Sequence, residues 1–293
     1  MLNKNNCHIE YNFDVSALNT YGTGGRAKCV YFPKSEEEAV SAFKFVKENY
    51  EKFVILGNGS NVLISDEFFD GAIISTKYLN KISFDGNNLI CQSGVTVPKL
   101  LKFCIKNGLT GLEYLAGIPA SVGGLAFMNG GINERHIGDD VIFVETFDSK
   151  LCKISNEYCN FDIKHSTMRD INCLILSVCI KIAPSDSDTV KENIKKFINL
   201  RSIQPKGRSC GCVFKNPNNL TAGKLIDEAG LKGLAIGSAY VSDRHANFII
   251  NEGKRSDDVY RLIREVKRRV FEKYGVFLEE EVVYIGEFNE TDS

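Results

Sequence analysis

Gly111-Leu112-Glu113-Tyr114-Leu115-Ala116-Gly117-Ile118-Pro119-Ala120-Ser121-Val122-Gly123-Gly124-Leu125-Ala126-Phe127-Met128-Asn129-Gly130-Gly131 is the most informative stretch of this chain. It is too rich in small residues for a helix built for stability, and too apolar for a solvated linker. Its glycines let a backbone come close to something, or take positive φ, at little steric cost. Pro119, Ser121 and Asn129 add turn chemistry and hydrogen-bonding groups. Backbone N–H groups in a buried loop suit a phosphate or the edge of a flavin. A tight glycine turn between two elements is the plainer alternative.

A second small-residue loop lies upstream. Phe53 to Leu56 and Val62 to Ile64 read as buried strands. Between them Gly57, Asn58, Gly59, Ser60 and Asn61 form a polar cradle. The pattern is not the dinucleotide fingerprint, because Val62 stands where the third glycine belongs and a strand follows.

Together these segments resemble the UDP-N-acetylenolpyruvoylglucosamine reductases, flavoenzymes of bacterial cell-wall synthesis. The resemblance runs in order along nearly the whole chain. It starts at Asn19-Thr20-Tyr21-Gly22-Thr23-Gly24-Gly25 and continues through Leu56 to Asn61, Gly111-Leu112-Glu113, Gly117 to Gly124 and Met128-Asn129. Gly211-Cys212-Val213-Phe214-Lys215-Asn216-Pro217, Ala222 to Ile226, Gly230 to Gly233, Ser242 to Phe248 and Leu278-Glu279-Glu280-Glu281-Val282 complete it.

The composition is compatible with this. A chain of 293 residues suits two or three compact units. A net charge of −1 gives no sign of nucleic-acid binding. No apolar run reaches the roughly 18 residues of a membrane span. Leu2 to Glu10 lack a signal-peptide core, so a cytoplasmic protein is expected. The ten cysteines are irregularly spaced and are expected to be reduced thiols. Cys210 and Cys212 have no nearby His, and no metal is expected.

Helices are expected at Ser35 to Glu48, with a Ser35/Glu38 capping box, and at Thr96 to Asn107, with Thr96 as N-cap. Others are expected at Asp188 to Arg201 and Asp257 to Tyr274. Further strands are expected at Ile73 to Ser75, Leu89 to Ser93, Phe143 to Phe147 and Leu174 to Ile182. This mixture predicts an α+β fold. The resemblance implies a two-part FAD-binding region of the vanillyl-alcohol-oxidase type, followed by an α+β substrate-binding domain. Pro184 to Ser187 mark the expected boundary. The FAD-binding region is then 1–185, in parts of about 1–77 and 78–185. The substrate domain is 186–293, with its end returning to the first part.

The resemblance also implies the reaction. NADPH reduces a noncovalent FAD, and hydride then passes to the enolpyruvyl group of UDP-N-acetylglucosamine enolpyruvate. A proton donor completes UDP-N-acetylmuramate. The family donor is a Ser in Gly-Ser-x-Phe-Lys; here Cys212 takes that place. A thiol with a reference pKa of about 8.5 is mostly protonated near neutral pH and is a better acid than a hydroxyl. The family cation is an Arg in Tyr-Arg-x-Ser; here Ile163-Lys164-His165-Ser166 puts Lys164 there. Lys164 keeps the charge and loses the planar two-pronged grip. Glu281 falls on the family's last Glu, with Glu279 and Glu280 leaving the register open.

For FAD the resemblance implies Leu56, Gly57, Asn58, Gly59, Ser60 and Asn61 at the pyrophosphate, and Ser121, Val122, Gly123 and Gly124 along the flavin. For substrate it implies Lys215, Asn216, His245 and Asn247, with His245 alternatively capping a turn. The changes at the acid and the cation leave two other readings. One is a related flavoenzyme for another unsaturated carboxylate. The other is a noncatalytic FAD- or sugar-nucleotide-binding relative.

Overall fold

The computed structural model describes residues 7–132, 135–171, 173–217 and 220–288. Within them the chain divides into two compact units. The described residues of 1–10, 30–58 and 73–201 form one; those of 11–29, 59–72 and 202–293 form the other. Each has its own apolar core.

In the first unit, the long apolar run Leu174–Lys181 forms the centre of a five-stranded sheet. The order is Leu151–Ser155, Val141–Phe147, Leu174–Lys181, Asn88–Gln92, Ile82–Phe84, antiparallel throughout. Seven consecutive residues of the central strand are buried, which is why it reads as continuous apolar sequence rather than as an alternation. Helix Val97–Asn107 packs Val97, Leu100, Leu101 and Cys104 into the same core. Thr96 precedes it as expected, but its side chain makes no capping bond. Gly108 ends it at φ 60°, a left-handed stop that glycine takes without strain.

Helix Glu36–Asn49 buries Ala39, Phe43 and Val46. The Phe43 ring meets Phe53 and Phe147 edge-on, at centroid distances of 5.9 and 6.1 Å. Ser35 Oγ accepts from the Glu38 N–H at 3.2 Å. The Glu38 carboxylate instead reaches back to the Lys34 N–H at 2.8 Å, one residue earlier than a capping box requires.

Helix Ser187–Leu200 is started by Asp186, whose carboxylate accepts from the Asp188 and Thr189 N–H groups. Its Val190 and Ile194 belong to the first core. The break between units therefore follows this helix, at Arg201/Ser202, where composition alone suggests Pro184 to Ser187.

In the second unit, helix Ser256–Tyr274 buries Val259, Leu262, Ile263, Val266 and Val270. Its N-terminus is capped from far away in sequence. Asp66 accepts from the Ser256 N–H (3.0 Å), the Ser256 hydroxyl (2.7 Å) and the Asp257 N–H (3.0 Å). Strands Ala235–Ile236, Ala239–Val241 and Ile249–Asn251 form an antiparallel sheet. Near its end the chain pairs in parallel with an early strand, Val283–Ile285 lying beside Val62–Ile64. All ten cysteines are unbridged, and Cys152 alone among them is exposed. Among the described residues, no helix is long and apolar enough to cross a membrane.

Candidate functional site

In the first unit, glycines allow several segments to converge. A Cβ on Gly57 would lie 2.5 Å from Ser121 Oγ. One on Gly123 would lie 2.6 Å from Ser93 Cβ, and one on Gly94 1.9 Å from the Thr76 carbonyl oxygen. Gly94 and Gly123 face atoms that cannot turn away, so glycine is required at both, whereas a side chain at Gly57 would have to displace the Ser121 hydroxyl. The same segments are tied by hydrogen bonds. Val122 N–H donates to Val95 O and Gly123 N–H to Ser93 O, both at 2.8 Å. Asn58 Nδ2 donates to Pro119 O at 2.7 Å.

These tertiary bonds have a local result that composition hides. Val122–Met128 is a short α-helix, N-capped by Ser121, whose Oγ accepts from the Gly124 N–H at 3.3 Å. The expectation that this stretch is no helix is corrected at these residues. Gly123 and Gly124 cost helix propensity, and packing against Ser93 and Val95 offsets it. Ser75 Oγ and Ser93 Oγ are sealed from solvent with no hydrogen-bond partner among the described residues.

The same helix anchors the turn that carries Lys164. Asn129 ends the helix at φ 45°; its Nδ2 donates to Asp162 O at 3.0 Å and its Oδ1 accepts from the Gly138 N–H at 3.0 Å. Ser166 Oγ donates to Phe127 O at 2.8 Å. Asp162 and His165 exchange backbone bonds across the turn. Lys164 itself sits at φ 56°, in the left-handed region that a side chain adopts at a cost of about 1–3 kcal/mol. Arg169 donates to its carbonyl at 2.8 Å and holds it there. Asn129, Ser166 and Arg169 thus support Lys164, a role visible only once the turn is folded. His165 pairs with Asp170 at 3.0 Å on the surface.

In the second unit, Cys212 to Lys215 run as an extended segment between two others. Cys212 bridges to Phe248 and Phe214 to Glu280. Val213 N–H donates to Asn247 O at 2.9 Å, and Glu281 N–H donates to Val213 O at 2.7 Å. Cys212 and Glu281 are thereby brought onto neighbouring strands. Cys212 is half-buried. Burial raises the neighbouring Cys210 thiol to about 12, a shift to which the Glu281 charge adds.

The residues expected on the substrate side also have defined places here. The Asn247 side chain is buried and grips Phe214 at both backbone groups. It accepts from the N–H at 2.9 Å and donates to the carbonyl at 2.8 Å. Asn216 Oδ1 accepts from the Ala222 N–H, starting helix Ala222–Glu228. Lys215 pairs with Glu279. His245 Nδ1 accepts from the Asn247 N–H at 3.3 Å, so the ring caps a turn. Burial, and secondarily the Lys232 charge, hold His245 below its ordinary value.

The loop after Phe53–Leu56 does not stay in one unit. Leu56 to Asn58 belong to the first, and Gly59 to Asn61 to the second. Gly59 has φ 62°, and a Cβ there would fall 2.0 Å from Leu18 O. Its carbonyl accepts from the Thr20 N–H at 3.1 Å. Gly59→Ala is therefore expected to destabilise the fold by about 1–3 kcal/mol, measured by denaturant unfolding; unchanged stability would contradict this packing.

Two family models match the chain. The model for the UDP-N-acetylenolpyruvoylglucosamine reductase C-terminal domain covers residues 204–285, and an FAD binding domain model covers 27–150. A protein of Caldicellulosiruptor bescii, called UDP-N-acetylenolpyruvoylglucosamine reductase, is 35% identical over 97% of this chain and 93% of its own. One of the same description from Geobacillus thermodenitrificans is 38% identical over 90% of this chain and 88% of its own. The crystal structure of UDP-N-acetylenolpyruvylglucosamine reductase from Thermus caldophilus superimposes with a TM-score of 0.81 at 31% identity, covering 96% of this chain and 99% of that one. With relatives at this identity over nearly its full length, and an α+β fold shared with a solved member, this chain belongs to the UDP-N-acetylenolpyruvoylglucosamine reductase family.

Proposed function

We infer that this chain is an FAD- and NADPH-dependent reductase that converts UDP-N-acetylglucosamine enolpyruvate to UDP-N-acetylmuramate. The observation that carries this reading is the 35% identity to a reductase of that description across 97% of the chain.

The residues of the first unit fit a flavin nucleotide. Gly57 and Gly123 let their backbones pack directly against Ser121 and Ser93, and Ser93 Oγ lies buried there with no partner among the described residues. Backbone can approach a diphosphate there, and hydroxyls lie in the lining. Leu56, Gly57 and Asn58 with Ser121 to Gly124 would hold the FAD. Bound there, FAD would supply the hydride-carrying chemistry between NADPH and the vinyl carbon.

The rest falls to side chains. Cys212, as the thiol, gives its proton to the carbon beside the one receiving hydride. Lys164 pairs with the substrate carboxylate and with the negative charge that grows on it as the double bond is reduced. Glu281, on the segment beside Cys212, shares the stabilisation of the enolate. Lys215 supplies a cation for the diphosphate of the sugar nucleotide, and Asn216, His245 and Asn247 order the segments around it.

Gly57→Ala tests the cradle. Its new methyl would crowd Ser121 Oγ, and FAD affinity is expected to fall at least about tenfold (about 1.4 kcal/mol). Flavin titration followed by fluorescence measures this, and unaltered affinity would place the diphosphate elsewhere. For the reaction itself, the purified protein is expected to form the lactyl ether from the enolpyruvyl ether, with one NADPH consumed per product. NADPH consumption without that product would sink the assignment.

A further inference from the structure

We propose that the Asn61 side chain is a positioning group for Glu281; the proposal rests on the reaction inferred above. Asn61 lies in the second unit with Glu281, although in sequence it closes the small-residue loop that begins at Gly57. Its side-chain Nδ2 donates to the Glu281 carbonyl at 3.0 Å. Its own carbonyl accepts from the Val283 N–H at 3.0 Å. One residue therefore binds the chain on both sides of Val282.

The consequence is a fixed backbone at Glu281. Its N–H donates to Val213 O at 2.7 Å, and its carbonyl receives the Asn61 amide. Val213 directly follows Cys212. The line of bonds from Asn61 to Glu281 to Val213 sets where the Glu281 backbone sits against the strand that carries the proton donor. Beyond Asn61 the parallel ladder takes over, with Val62 opposite Val283 and Ile64 opposite Ile285. The amide extends that ladder by side chain to the residue that matters for chemistry. No shorter polar side chain spans the gap: a serine hydroxyl stops an atom short of the amide nitrogen. An aspartate has the same shape but no proton to donate to the carbonyl.

A role in positioning predicts a specific pattern of damage. Only the step that uses Glu281 suffers, and it suffers only while Glu281 can act. The test follows the two half-reactions separately without oxygen, in wild type, Asn61→Leu, Asn61→Asp, Glu281→Gln and the double variants. Asn61→Leu is expected to keep its flavin and its reduction by NADPH. Reoxidation by UDP-N-acetylglucosamine enolpyruvate is expected to slow about 30-fold. In the Glu281→Gln background the same change should cost at most about threefold, because the interaction it serves is already gone. Asn61→Asp carries the same cycle if the leucine variant does not fold.

Loss of flavin, or equal slowing of the NADPH step, would return Asn61 to the cofactor cradle and overturn the proposal. Full multiplication of the two effects would make it a general structural residue and overturn it as well. Failure of the wild type to reoxidise would instead refute the reaction itself, so the two failures are distinguishable.

Discussion

Cys212→Ala is expected to slow reoxidation of the reduced flavin by the enolpyruvyl substrate by about 10²- to 10⁴-fold, the usual contribution of a positioned general acid. Reduction by NADPH should be untouched, because the thiol acts only after hydride has left. The geometry behind this is a half-buried thiol on a segment held on both sides, by Phe248 and Asn247 on one and by Glu279 to Glu281 on the other. Cys212→Ser should restore a working but slower donor, since a hydroxyl gives up its proton less readily than a thiol. The thiol also brings a liability that serine lacks. Alkylation should inactivate the enzyme, and bound substrate should protect it. Cys152 is exposed and would react too, so the experiment belongs in a Cys152→Ser background. Cys210 next door does not confuse the result, since burial holds its thiol near 12 and leaves it protonated. A Cys212→Ala enzyme that reoxidises at the wild-type rate would remove Cys212 from the chemistry.

Lys164→Ala should lower kcat/KM by about 10²- to 10³-fold, the scale seen when a preorganised donor to developing charge is removed. An ordinary exposed lysine would change little on substitution. The distinction is sharp because the structure invests in this position. Lys164 takes a left-handed backbone conformation; Asn129 bonds to Asp162 of the turn, Ser166 ties the turn to Phe127, and Arg169 bonds to the Lys164 carbonyl. Strain kept in place by such support is a mark of a functional residue. Lys164→Arg should retain activity, since the fork of a guanidinium grips a carboxylate in two places. If Lys164→Ala retains full kcat/KM, the carboxylate is held by another group.

Much of the fold was legible because its signals are local. Phe53–Leu56 and Val62–Ile64 stand out as apolar runs set off by glycine, and both are strands with those bounds. Glu36–Asn49, Val97–Asn107 and Ser256–Tyr274 show the apolar stripe of an amphipathic helix. What could not be read is what distant residues do for one another. Nothing near Ser256 announces that Asp66 caps its helix. The glycines of Val122–Met128 argue against helix, and only contacts with Ser93 and Val95 reverse that.

The candidate site was read in a different way. Cys212, Lys164 and Glu281 came from resemblance to a family pattern rather than from any periodicity. The pattern treats Leu56 to Asn61 as one motif, whereas the chain distributes it between two units and gives Asn61 bonds to Glu281 and Val283. Asn247 likewise matches the substrate segment in sequence, yet its amide is committed to the Phe214 backbone.

The most direct test mixes the NADPH-reduced enzyme, free of oxygen, with UDP-N-acetylglucosamine enolpyruvate and follows the flavin absorbance. The reaction assigned here predicts prompt return of the oxidised spectrum with formation of the lactyl ether. A flavin that stays reduced while the substrate is demonstrably bound would contradict it.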